Sequence, residues 1–203
     1  MSATKKYRIN EIFYSLQGEG FWTGQPMVFV RFSGCNLKCP FCDTDHSSFT
    51  EMTAAEIVDR IQELAPKCEY VCFTGGEPLL QADKALVSYV QDNAGVYVHL
   101  ETNGSLKVPA DCFDWITCSP KGELKIQQMD ELKLLVTGTP DEKFIEGYVR
   151  KTIDWDIEAL FLQPCDTGDP QKNARILADT IEYIEKHPWW RLSLQMHKLI
   201  NIK

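Results

Sequence analysis

Short apolar runs alternate with amphipathic stretches along the whole chain. The runs cover residues 27–32, 70–74, 96–101, 115–119, 131–136, 159–163 and 192–195. Most are near-continuous in apolar residues, the pattern of parallel strands covered on both faces. Helical patterns lie between them. Thr53-Ala54-Ala55-Glu56 has the residues of a capping box, in which hydroxyl and carboxylate each satisfy an orphan backbone N–H. Ile57, Ile61 and Leu64 follow on one face. A second helix is predicted over 80–93 with Leu86 and Val90 on its apolar side. A third is predicted over 170–187 with Leu177, Ile181 and Ile184 aligned. A weaker, shorter pattern covers 141–151. Residues 7–16 suit an additional strand leading into a Gln17-Gly18-Glu19-Gly20 turn.

Strand–helix alternation implies right-handed βαβ units. The elements are too few for a complete eight-fold barrel, and the 120–130 connection is too short for a regular crossover helix. The predicted fold is therefore α/β: an incomplete, TIM-like barrel of about six parallel strands and about three full helices. It is expected to span 1–203 as a single domain. Chemistry in such folds gathers where strands end. Cys35 follows the 27–32 run, Thr74-Gly75-Gly76-Glu77-Pro78 ends the next, and Glu101-Thr102-Asn103-Gly104 the one after. Ser119-Pro120-Lys121 and Gln163-Pro164-Cys165 end two later runs, so all five are expected at one mouth.

Composition changes this picture little. Hydrophobic residues make up 44% of 203, enough for one buried core. No apolar stretch has the length of a membrane span. No apolar run follows the first lysines, so no signal peptide and a cytoplasmic location are expected. The net charge of −8 argues against a nucleic-acid surface. The eight cysteines are then expected to be reduced rather than paired. Cys72 and Cys118 lie in strand-like runs and read as small core hydrophobes, and Cys68 reads as structural. Cys112 lies in a connector and carries no signal.

Cys35, Cys39 and Cys42 stand apart, with a C-x3-C-x2-C spacing. Three thiolates on one loop can ligate three irons of a [4Fe–4S] cube and leave the fourth open, whereas electron-transfer clusters are closed by four cysteines. The rival reading is zinc, with His46 as a fourth ligand. Gly75-Gly76-Glu77-Pro78 reads either as a strand-to-helix turn or as a close backbone approach to a ligand.

The cysteine spacing followed by Gly-Gly-Glu-Pro resembles the radical S-adenosylmethionine superfamily. In that superfamily the unique iron is chelated by S-adenosylmethionine, and one electron yields methionine and a 5′-deoxyadenosyl radical. Further segments resemble the 7-carboxy-7-deazaguanine synthase family across essentially the whole chain: 13–20, Arg31-Phe32-Ser33-Gly34-Cys35, Cys42-Asp43-Thr44 and Gln195-Met196-His197-Lys198. The resemblance implies a lyase that contracts the ring of 6-carboxy-5,6,7,8-tetrahydropterin to 7-carboxy-7-deazaguanine with loss of ammonia, for queuosine and related deazapurines. It implies a [4Fe–4S] cluster, S-adenosylmethionine and Mg2+ as cofactors, a flavodoxin or ferredoxin as reductant, and a homodimer.

By resemblance, Cys35, Cys39 and Cys42 ligate the cluster. Phe41, Cys42, Asp43, Gly76, Ser119, Pro120, Lys121 and Gln163 surround S-adenosylmethionine, with Glu101 and Asn103 as further polar neighbours. Thr44 ligates Mg2+, an ion that prefers oxygen donors and keeps several waters. Leu16, Gln17, Gly18, Glu19, Thr74, His197 and the terminal Lys203 contact substrate. Arg31 suits the substrate carboxylate because a guanidinium grips a carboxylate bidentately. Trp189-Trp190 is a candidate contact patch or part of the core. A related activase that makes a glycyl radical on a partner protein, and a zinc-bound interaction module, are the alternatives.

Overall fold

The structure, a computed structural model, describes residues 5–42, 44–45 and 47–203. Asp43 and His46, named above as cofactor neighbour and zinc ligand, lie outside the described residues. One sheet runs in the order β3-β1-β2-β4-β5-β6-β7-β8-β9. Its strands are β1 (Lys6–Leu16), β2 (Pro26–Phe32), β3 (Thr50–Thr53), β4 (Tyr70–Gly75), β5 (Tyr97–Thr102), β6 (Trp115–Cys118), β7 (Glu131–Val136), β8 (Ala159–Pro164) and β9 (Arg191–Leu192). From β2 to β9 every pairing is parallel. β1 runs antiparallel to β2, and β3 antiparallel to β1. The sheet is open and mostly parallel, as the alternation predicted. No described helix is long and apolar enough to cross a membrane.

The helices are α1 (Ala54–Leu64), α2 (Lys84–Ala94), α3 (Glu142–Lys151), α4 (Pro170–Lys186) and α5 (Met196–Leu199), with a 3-10 turn at Pro78–Leu80. The Thr53–Glu56 capping box forms as read. Four details differ from the sequence reading. Thr50–Thr53 is a strand, hidden because Thr53 both ends β3 and caps α1. α2 starts at Lys84 rather than residue 80, because the Asp83 carboxylate caps it and Glu77 caps the separate 3-10 turn before it. α3 is a full helix capped by Asp141, so four long helices stand where about three were expected. α4 buries Ile176 and Thr180, leaving Ile181 on the exposed side. The helix turns its 176–180 line to the sheet, one residue off the line drawn through Leu177.

Alternation within each parallel strand sorts two interiors. In β7, Leu132, Leu134 and Val136 join the large core under the helices, while Lys133 and Leu135 face the concave side. A second, smaller cluster lies there: Met27, Phe29 and Cys72, packed by Phe13, Trp22 and Tyr70. Trp22 extends it, with ring centroids 5.0 Å from His99 and 5.6 Å from Trp115. The loop 17–25 therefore folds back into the concavity and forms its floor. The 192–195 run stays on β8 only through Leu192 and the Ser193 N–H, which donates to Leu162 O at 3.0 Å, while the Ser193 and Gln195 side chains turn inward. Gly20 N–H donates to Ser193 Oγ at 3.0 Å, and Met196 N–H to Gly18 O at 2.9 Å. The tryptophan pair splits: Trp190 is core and Trp189 exposed.

His99 in this aromatic floor gives the fold a pH signature. Burial lowers its pKa to about 4, with Asp114 opposing. The unfolded chain takes a proton near pH 6.5, the folded chain only near 4. Stability from this residue is therefore complete above that window and is lost as pH falls through it, by about 3 kcal/mol in total. Urea unfolding of His99→Phe at matched pH is expected to show a shallower acid loss than wild type; parallel curves would refute the assignment.

Candidate active site

The strand ends and the floor enclose one cavity of about 740 Å³. β2 delivers the cysteine loop to its rim. Cys35, Cys39 and Cys42 are all free thiols and all line the cavity. Burial raises the Cys39 pKa, Cys35 and Cys42 add to this, and Lys121 opposes it. Metal ligation needs thiolates, so a bound metal centre has to draw off the Cys39 proton against that burial. Among the described residues no three Cys, His, Asp or Glu side chains close around a single ion. Cys35 and Cys42 both act electrostatically on Cys39, and three cysteine sulfurs lining one cavity are a donor set that three irons of a cluster can take.

β4 exits directly beneath this loop. Gly76 N–H donates to Phe32 O at 3.1 Å, and Glu77 N–H to Gly34 O at 3.0 Å. A Cβ on Gly76 would stand 2.0 Å from Gly34 O, so only glycine lets the two backbones pass. Gly75 and Gly76 face the cavity, but Glu77 does not. It is fully buried, accepting from Thr102 Oγ1 at 2.9 Å and from Asn103 N–H at 2.8 Å. Burial raises its pKa against these hydrogen bonds. Glu77 thus ties the end of β4 to the end of β5. Asn103 Nδ2 in turn bonds Asn36 Oδ1 at 3.1 Å, which braces the cysteine loop.

Ser119, Lys121 and Gln163 line the same wall, as does Phe41, while Pro120 is buried behind it. Lys121 Nζ is held by Ser119 O at 3.0 Å, and burial lowers its pKa. Gln163 Oε1 accepts from Ser193 Oγ at 2.8 Å.

The cavity wall also carries Leu16, Gln17, Gly18, Glu19, Arg31, Thr44, Thr74, His197 and Lys203, with Thr44 O only 3.6 Å from Cys42 Sγ. Gln17 is buried rather than solvated. Its Nε2 donates to Glu101 Oε1 at 3.1 Å, and Thr74 Oγ1 donates to Glu101 Oε2 at 2.9 Å. The His197 ring lies so close over Gly18 that any Cβ there would overlap it. Arg31 Nε pairs with Glu11 Oε1 at 2.9 Å, and its Nη1 lies 3.4 Å from Thr44 Oγ1. The Lys203 ammonium also pairs with Glu11. Both cations lie over the Phe13 ring, at 5.5 and 4.9 Å from its centroid. Despite partial burial, these two cations hold the Glu11 pKa below its usual value. A carboxylate-bearing ligand would meet two cations and one hydroxyl here.

Sequence reasoning missed Glu11 and Lys133, and gave Gln195 only as part of a family motif, with no role of its own. Glu19 Oε2 pairs with Lys133 Nζ at 2.6 Å, and Glu19 Oε1 accepts from Gln195 Nε2 at 3.0 Å. The signal for Lys133 was the Glu-Leu-Lys-Leu alternation at 131–134, which puts two charged residues on one strand face.

The sequence matches the Radical SAM superfamily over residues 29–121. It is 46% identical over 198 residues to the 7-carboxy-7-deazaguanine synthase of Bacteroides thetaiotaomicron, spanning 97% of this chain and 98% of that one. The enzyme of the same name from Burkholderia multivorans is 38% identical over 220 residues, spanning 97% and 99%. Among solved structures, QueE from Escherichia coli superposes with a TM-score of 0.80 at 26% identity, over 95% of each chain.

Proposed function

The chain belongs to the 7-carboxy-7-deazaguanine synthase family of radical S-adenosylmethionine enzymes, and from that premise we propose that it converts 6-carboxy-5,6,7,8-tetrahydropterin to 7-carboxy-7-deazaguanine. The reaction is a Mg2+-dependent ring contraction that loses ammonia, and 1–203 serves it as one domain. One observation carries this reading: a single cavity is lined both by the three cysteines and by the hydrogen-bonding, carboxylate-receiving group of Gln17, Arg31, Thr44 and Lys203.

A [4Fe–4S] cluster and S-adenosylmethionine supply, when bound, a one-electron cleavage that leaves a carbon radical; the cofactor carries the hard chemistry. The chain's own residues bind and orient. Cys35, Cys39 and Cys42 hold the cluster. Phe41, Asp43, Gly76, Ser119, Pro120, Lys121 and Gln163 hold S-adenosylmethionine, with Gly76 offering open backbone where a side chain would intrude. Gln17 and Glu19 meet the polar edge of the pterin, Leu16 and Gly18 its faces, and His197 packs above. Thr74 and Glu101 fix Gln17. Arg31 takes the substrate carboxylate, for which Glu11 must share the guanidinium. Thr44 is the protein ligand to Mg2+. A dication held near the Arg31 guanidinium would need anionic charge beside it, which a carboxylate-bearing substrate would supply. A flavodoxin or ferredoxin as electron donor, a homodimer and a cytoplasmic location complete the proposal.

Anaerobic incubation of cluster-loaded protein with the tetrahydropterin, S-adenosylmethionine, reductant and Mg2+ tests it. The expected product is lighter than the substrate by one ammonia. Cleavage of S-adenosylmethionine without that product sinks the reading. In Thr44→Ala, cleavage is expected to persist while the Mg2+ concentration for half-maximal product rises about tenfold. An unchanged Mg2+ response removes Thr44 as ligand.

A further inference from the structure

Lys133 occupies the floor of the cavity, and no step above uses it. It is the third residue of β7, 4% exposed, with its ammonium 2.6 Å from Glu19 Oε2. Glu131, on the same strand face, is 1% exposed, and its Oε1 has no hydrogen-bond partner among the described residues. Burial by itself would lower the Lys133 pKa, but Glu19, Glu101 and Glu131 raise it instead. The ammonium is therefore firmly charged and outnumbered by carboxylates. Glu19 is fixed at both oxygens, by Lys133 from β7 and by Gln195 from the segment before α5. Its backbone N–H donates to Gln17 Oε1 at 3.1 Å.

Resting on the reading of this cavity as a pterin site, we propose that Lys133 is a positioning residue that keeps the Glu19 carboxylate ionised and edge-on to the cavity, as an acceptor for the N–H groups of a 2-amino-4-oxopyrimidine edge. The fold has no need of this pair. Buried ion pairs are commonly replaceable by apolar side chains at no loss of stability, and the opposite face of β7 is already apolar core. Recognition does need it. An ionised carboxylate is acceptor-only, whereas a protonated one sets its own O–H against donor N–H groups. Without a cation, a buried carboxylate takes up a proton. Glu19 faces Lys133 from β7, with Lys121 from the connector after β6 acting on it at longer range, while Glu131 from β7 and Glu101 from β5 act on the Lys133 end of the pair. Among the described residues, Lys133 is the cation in direct ionic contact with Glu19.

The test uses cluster-loaded, full-length Lys133→Met, Lys133→Arg and the double variant Lys133→Met/Glu19→Gln, assayed with the tetrahydropterin across pH. In Lys133→Met, KM is expected to rise about 30-fold at neutral pH, with kcat at saturation little changed, because a charge-assisted contact is lost. KM should fall again as pH rises and Glu19 regains its charge. Lys133→Arg should recover most of the affinity. The double variant should recover thermal stability but not KM, since the acceptor is gone. A wild-type KM in Lys133→Met, a pH-independent defect, or a double variant that restores KM along with stability would each overturn the proposal. Wild-type protein that makes no deazaguanine product removes the functional reading and this inference together. Wild-type turnover with an unaffected Lys133→Met removes this inference alone.

Discussion

In Cys35→Ala, the brown absorbance of an assembled cluster near about 420 nm disappears and product formation falls by at least about a thousandfold. Two thiolates remain on the loop, too few to seat three irons of the cube. The substitution acts locally. Cys35 Sγ accepts only weak contacts, from Leu37 N–H at 3.4 Å and Asn103 Nδ2 at 3.9 Å. The loop follows β2 without belonging to the sheet. The thermal midpoint of Cys35→Ala should therefore match that of wild type stripped of iron. Iron and sulfide analysis beside the product assay checks this. Full activity in the variant without the absorbance would remove Cys35 as a ligand.

Gly76→Ala damages the other half of the same end. Its Cβ would meet Gly34 O at 2.0 Å and Gly34 C at 2.5 Å. Both are backbone atoms at the base of the cysteine loop, so no rotamer relieves the contact. The exit of β4 has to move away from β2, breaking the bonds from Gly76 N–H to Phe32 O and from Glu77 N–H to Gly34 O. Glu77 then loses register with Thr102 and Asn103 while still buried. A loss of about 3 kcal/mol in stability is expected from two broken hydrogen bonds and a strained buried carboxylate. S-adenosylmethionine affinity should fall at least about a hundredfold, because the backbone it meets has shifted. Equilibrium dialysis on cluster-loaded protein measures this. Unchanged affinity would show that the close passage of the two backbones is packing alone.

Much of the frame was legible in the chain. Glu131–Val136 has the boundaries read from its apolar run, and six further strands agree to within one residue at either end. Their positions implied that Cys35, Gly76, Ser119 and Gln163 share one mouth, and they do. The less legible parts are those where one residue serves two elements or where a strand face is polar. Thr53 reads as a helix cap and conceals β3. The 192–195 run was read as a strand, but β9 ends at Leu192 and the Ser193 and Gln195 side chains take partners at Gly20 and Glu19, from the far end of the chain. Lys133 sits in a strand whose other face is leucine, and an average over the run hides it.

The sequence by itself determined where the cysteine loop and the layers lie, and the resemblance of its motifs implied the chemistry class. Both rest on short-range facts. Three thiols within eight residues stay together whatever the rest of the chain does, and an apolar run followed by a capped helix makes a βα unit locally. Only the tertiary structure decided how the substrate end is charged. The Glu19–Lys133 pair joins residues 114 apart, and Gln195 reaches Glu19 across 176. Those contacts depend on the curvature of the open sheet and on a floor loop folding back inside it. No local pattern encodes that geometry, because it is settled by which side chains the whole sheet leaves facing inward.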